Sequence, residues 1–125
     1  MKLGAQSAVI DRVFGPEKAL TTLKSVGFET VDFSLENETR LNLQSTALEK
    51  YFSDIGRYAK NLSIEIGQTH APFYGYDRQM QRYDEILELQ KKAIAATSYM
   101  GSKYIVIHPL MPKERVFNEY CEPTK

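Results

Sequence analysis

Ser63-Ile64-Glu65-Ile66-Gly67-Gln68-Thr69-His70-Ala71-Pro72 and Tyr104-Ile105-Val106-Ile107-His108-Pro109 follow one plan. Each run starts apolar, ends on a histidine, and meets a proline at once or one residue later. β-Branched residues suit a pleated, buried surface. Proline has no N–H to give to a ladder, so pairing stops there. The two runs therefore predict strands over 63–70 and 104–108, each with its imidazole where the strand turns into the next loop. Between them, Ile86, Leu89, Ala93, Ala96 and Met100 recur at helical spacing, and Gly101 follows as a cap. This predicts a helix over about 82–99. A strand, a helix and a second strand at this separation form a right-handed crossover, which makes the strands parallel.

The same unit repeats toward the N-terminus. Residues 2–7 predict a first strand. Gly15-Pro16-Glu17 opens a helix with proline at its first position and Ala19, Leu20, Leu23 and Val26 on its apolar stripe; Gly27 ends it. Residues 30–34 (Thr-Val-Asp-Phe-Ser) predict the second strand. Thr46 and Glu49 stand at capping-box spacing before a helix carrying Leu48, Phe52, Ile55, Ala59 and Leu62. The pattern is α/β, with four strands and three helices.

A doubly wound sheet usually has a glycine-rich turn after its first strand, but here that turn reads Ser7-Ala8-Val9-Ile10-Asp11. A parallel (β/α)8 barrel carries function at its C-terminal strand ends, where both histidines fall. The expected architecture is half such a barrel over residues 1–125, with strand order 1-2-3-4. A whole barrel takes about 250 residues, and 116–125 reads as a loop where a fourth helix would begin. The chain is accordingly read as the N-terminal half of a larger protein, or as a half-barrel completed by self-association through its open edges.

Sixteen basic and sixteen acidic side chains give zero net charge, with no Lys or Arg run to displace counterions from phosphates. Nucleic acid is therefore not the expected partner. Cys121 is the single cysteine, so no intrachain disulfide can form. Neither a signal peptide nor a run of roughly 20 apolar residues occurs, so no membrane association is expected and the location is read as cytoplasmic.

His70 and His108 are the leading substrate-binding candidates. As adjacent strand ends in a parallel barrel they would reach one ligand; the alternative is a pair of histidines that only cap their strands. Gln6 can face the pocket from strand one. Asp32 and Ser34 can bond a substrate hydroxyl, although capping of the following loop is preferred for Asp32. Tyr74, Tyr76, Arg78 and Arg82 form an aromatic, basic stretch that can cover a sugar or hold its phosphate, or simply be solvated. Glu65, between Ile64 and Ile66, is read as facing a helix partner or solvent.

Thr69-His70-Ala71-Pro72, Ile107-His108-Pro109 and the run Leu23-Lys24-Ser25-Val26-Gly27-Phe28-Glu29-Thr30-Val31-Asp32 together resemble the xylose isomerase-like barrel superfamily. The resemblance implies a metal-dependent sugar or sugar-phosphate isomerase or epimerase, acting through an enediolate. A divalent metal (Mn, Mg, Co or Zn) would be held in the intact barrel by carboxylates and a histidine of later strands. In that branch His70 and His108 face the sugar and are not metal ligands, and no catalytic base falls within this sequence. The 125-residue chain alone is expected to be inactive and to hold no metal tightly. The superfamily's endonuclease IV-type branch implies instead an abasic-site nuclease with His70 and His108 on zinc. Gly4-Ala5-Gln6 departs from that branch's Gly-Ala-His, and Phe33-Ser34-Leu35-Glu36-Asn37 is a poor match to its DNA-contact motif. A non-catalytic barrel piece is the third reading.

Overall fold

Thr30–Ser34 forms a strand, β2, in which Val31 and Phe33 point one way and Thr30, Asp32 and Ser34 the other. β1 (Gly4–Gln6) and β3 (Glu65–His70) flank it, and β4 (Ile105–Val106) pairs with β3. All three pairings are parallel and the order is β1-β2-β3-β4, without the reversal of a doubly wound sheet. The computed structural model describes residues 1–110; the expected loop at 116–125 and Cys121 lie outside them.

Among the described residues, five helices connect and cover these strands: α1 (Ala8–Phe14), α2 (Pro16–Ser25), α3 (Glu38–Leu41), α4 (Ser45–Asn61) and α5 (Tyr76–Tyr99). Three were expected; α1 and α3 are additional. Pro16 takes the first position of α2, with Gly15 as N-cap, and Gly27 has a φ of 99°. Val26, read as part of the α2 stripe, follows the helix as its C-cap and is exposed. Thr46 and Glu49 do not form a capping box, because α4 begins at Ser45 and its N-cap, Gln44, makes no side-chain cap bond. α5 starts at Tyr76 but is interrupted by non-helical backbone at Arg82, so the expected start near Arg82 coincides with a break between two helical segments.

The sheet has two unlike faces. Ala5, Val31 and Ile66 align across three strands, as do Phe33, Thr69 and Ile105. This face packs with Leu20, Leu23, Leu48, Phe52, Ile55, Ile86, Leu89 and Ala93 from the helices into one core. On the opposite face the rows are Gly4–Thr30–Glu65, Gln6–Asp32–Gln68 and Ser34–His70–Val106, mostly small or polar.

A bulge sets which face His70 occupies. Val31 pairs with Ile66 but Asp32 pairs with Gln68, so Gly67 is an extra residue without a partner on β2. Strict alternation would put Gln68 and His70 on the same side as Ile66, toward the helices. The inserted Gly67 reverses the phase, sending Thr69 into the core and His70 to the open face. Thr69 is fully buried and its hydroxyl meets that of Thr97 at 2.7 Å. A Cβ on Gly67 would collide with the Thr30 hydroxyl oxygen. We expect Gly67→Ala to cost about 1–3 kcal/mol through overpacking, and Thr30→Ala to recover most of that loss. Urea denaturation of the two single variants and the double measures the coupling; additive effects would exclude this contact as the reason for glycine.

Candidate functional site

Asp32 in the middle of β2, His70 at the end of β3 and His108 just after β4 come together on one face of the sheet. His70 is the last residue of β3 and lies opposite Ser34 and Val106 in the ladder. Its Nδ1 is 3.0 Å from Asp32 Oδ2, and both side chains are about a quarter exposed, 27% and 22%. With Nδ1–H donated to Asp32, the neutral ring presents Nε2 as an acceptor; on protonation Nε2 becomes a donor. Asp32 Oδ1 is buried and has no hydrogen-bond partner, leaving a carboxylate oxygen inside the site with unused acceptor capacity. Asp32 therefore orients an imidazole and does not cap the following loop as the sequence suggested.

His108 lies two residues beyond β4, which ends at Val106, and so does not close a strand. Its ring nevertheless stands beside His70, with centroids 5.5 Å apart and planes tilted by 37°. Gln90 Nε2 on α5 donates to its backbone carbonyl at 3.1 Å. Phe73 meets the His108 ring edge-on, with centroids 4.8 Å apart. Gln6 occupies the row of Asp32 and Gln68 and lines with them an open hollow of about 440 Å3, whose floor includes Gly4, Thr30 and Gly67. Ser34 is buried; its N–H donates to Ser7 Oγ at 3.0 Å.

Two members of the aromatic, basic stretch, Tyr74 and Arg82, are committed within the protein. Tyr74 is buried and donates its hydroxyl to Glu38 Oε1 at 2.6 Å. Burial, reinforced by the Glu38 carboxylate, pushes its phenol well above its usual pKa. Arg82 Nη1 and Nη2 donate to the two Glu38 oxygens at 3.1 and 2.8 Å, and Nε donates to Glu85 at 2.8 Å. Hydrogen bonds from Arg82, then from Tyr74, hold the Glu38 carboxyl below the usual glutamate range. Arg82 is thus not free to hold a phosphate. Arg78 is exposed and Tyr76 half-buried on the first turn of α5. Glu65 is exposed and pairs with Lys2, away from the histidines.

Among the described residues, no three His, Cys, Asp or Glu side chains converge so as to hold a metal ion. His70 and Asp32 are joined by a hydrogen bond, with the His108 ring beside them. Two imidazoles with adjustable donor and acceptor roles, a carboxylate, and amides at Gln6 and Gln68 suit hydroxyl groups of a ligand. Reasoning from sequence missed the Asp32–His70 pair, which the period-two pattern hid: only the bulge brings the two residues to one face.

No family model matches the chain, and no curated protein or solved structure matches it either. Among the described residues, no helix is long and apolar enough to cross a membrane.

Proposed function

We propose that this chain supplies the first half of a (β/α)8-type barrel and the sugar-contacting wall of a sugar or sugar-phosphate isomerase or epimerase. The observation that carries this reading is the Asp32–His70 pair with the His108 ring beside it, at the C-terminal ends of parallel strands on the polar face of the sheet. The sequential strand order and the resemblance of the two histidine-proline segments support the same reading.

Within it, Asp32 fixes the His70 tautomer, and His70 Nε2 accepts from a sugar hydroxyl or donates to an oxygen that gains charge. His108 binds a neighbouring oxygen, and Gln6 and Gln68, which line the hollow on the other side of Asp32, bind further hydroxyls. Holding the sugar in one pose lowers the barrier to proton removal beside the carbonyl. The base that removes this proton, and the carboxylates for a divalent metal, are assigned to strands that complete the barrel. The divalent ion supplies charge stabilisation for the enediolate when bound.

The test is titration of the full chain with D-fructose and D-fructose 6-phosphate, followed by proton NMR at both imidazoles. His70→Ala and His108→Ala are each expected to weaken binding about tenfold or more, in line with loss of a hydrogen bond to a polar ligand. Lys50→Ala, on the far side of α4, is expected to have no effect. Absence of any sugar-dependent shift in the unmodified chain would sink the proposal. Tight stoichiometric Zn2+ lost in both alanine variants would instead assign the site to a zinc nuclease.

A further inference from the structure

Phe73 is 62% exposed, yet its ring stands edge-on to His108 at a centroid distance of 4.8 Å and an angle of 67°. A ring so exposed has little packing of its own to fix it. The restraint lies in its neighbours. Ahead of it, buried Ala71 donates its N–H to Val106 O at 3.0 Å. Behind it, Tyr74 is 5% exposed, and its carbonyl accepts from Gln79 Nε2 at 2.8 Å. The Tyr74 hydroxyl reaches Glu38, 36 residues earlier in the chain on α3.

Glu38 is itself held by both terminal nitrogens of Arg82. Arg82 has φ −133° and ψ 31°, a non-helical conformation inside α5. The interruption falls at the residue whose guanidinium reaches Glu38 and lies 5.9 Å from the Tyr74 ring centroid.

We propose that Glu38 is a positioning residue: acting through Tyr74, it fixes residues 71–75 so that Phe73 holds the His108 ring beside His70. Glu38 touches neither imidazole. The inference rests on the reading of His70 and His108 as sugar contacts and adds to it a support from the loop after β2. A ring already held in its binding position loses less freedom when a ligand arrives, which raises affinity without a new contact.

The test uses the full chain and observes the His108 ring protons, which sense the ring current of Phe73. Phe73→Ala gives the reference for a lost contact. Glu38→Ala and Tyr74→Phe are expected to move the His108 signals toward that reference while leaving the His70–Asp32 contact in place. Glu38→Gln, which keeps an acceptor for the Tyr74 hydroxyl, is expected to lie closer to the unmodified protein than Glu38→Ala. D-Fructose binding should weaken about two- to tenfold in Glu38→Ala. His108 signals unchanged in both Glu38→Ala and Tyr74→Phe overturn the proposal. So does loss of the whole fold in both, which makes Glu38 a folding residue. The ring-proton measurement needs no sugar, so an unmodified chain that ignores D-fructose overturns the substrate reading alone.

Discussion

Phe52→Ala is expected to lower the stability of the fold by about 3–5 kcal/mol, the usual range for truncating a buried phenylalanine. Phe52 is 1% exposed on the inner face of α4, in the cluster that includes Leu48, Ile55, Val31, Phe33 and Ile66. Its ring also stands at 88° to Tyr51, with centroids 5.1 Å apart. Removing it takes apolar area out of the core and leaves a cavity that the helix can only partly close, because α4 is held at both ends. At its N-terminal end Leu48 is buried against the sheet. Toward the other end Gly56 lies so close to the Met100 carbonyl that a Cβ there would come within 2.6 Å. Domains commonly have only about 5–15 kcal/mol of stability in total, so this one change consumes a large share of it. Chemical denaturation followed by circular dichroism gives the measurement. A loss below 1 kcal/mol would mean that α4 is not the wall of the core.

The helical stripes were legible because they obey one rule. Leu48, Phe52, Ile55 and Ala59 on α4, and Ile86, Leu89, Ala93, Ala96 and Met100 at the C-terminal part of α5, are spaced for one buried face and are buried. The span of β2 was equally readable, since Val31 and Phe33 alternate with Thr30, Asp32 and Ser34. α1 broke the rule. Three of its large apolar side chains, Val9, Val13 and Phe14, are exposed, Ile10 packs only partly on the core, and its one buried residue is Asp11. α3 is a single turn with only Leu41 buried, too short to show any period. Its cap, in which Asn37 Oδ1 accepts from Arg40 N at 3.2 Å, was present in the sequence as an ordinary loop asparagine.

The candidate site was half legible. Proline after each histidine marked the rim, and the two rings do meet there. What no local pattern could supply was phase and partnership. The bulge at Gly67 decides which face His70 occupies, and the Asp32–His70 contact spans 38 residues. Ladder register, set by tertiary packing, decides such contacts. Tyr74 and Arg82 looked like loop residues available to a ligand because their acidic partner, Glu38, lies on α3, 36 residues before Tyr74.

The second large effect is expected at Asp11. Its carboxylate accepts two hydrogen bonds from Arg40 Nη1, at 2.8 and 2.9 Å, and the side chains are 7% and 20% exposed. Asp11→Ala leaves the Arg40 side chain, itself four-fifths buried, without this partner. Breaking a buried pair from one side costs about 3–5 kcal/mol; the residual exposure of Arg40 places this case at about 3 kcal/mol, the low end. Arg40→Met in the same protein removes the stranded charge and keeps most of the side-chain volume. The double variant is therefore expected to be more stable than Asp11→Ala alone, with a coupling of at least 1 kcal/mol in a double-mutant cycle. Two effects that simply add would show that the pair is only a surface contact. The position matters because Arg40 and Glu38 are two residues apart on α3, which turns them about 200° from each other around the axis. One reaches back to α1, after β1; the other reaches forward to Tyr74 and Arg82, after β3. A single helical turn thus ties three consecutive strand ends into one rim, and Asp11→Ala is expected to loosen it from the side opposite the histidines. If so, the His108 ring protons shift in Asp11→Ala by less than in Glu38→Ala, because Arg40 lies further from Phe73 along the chain of contacts. A larger shift in Asp11→Ala than in Glu38→Ala would reverse that order and place the main support of the rim on α1.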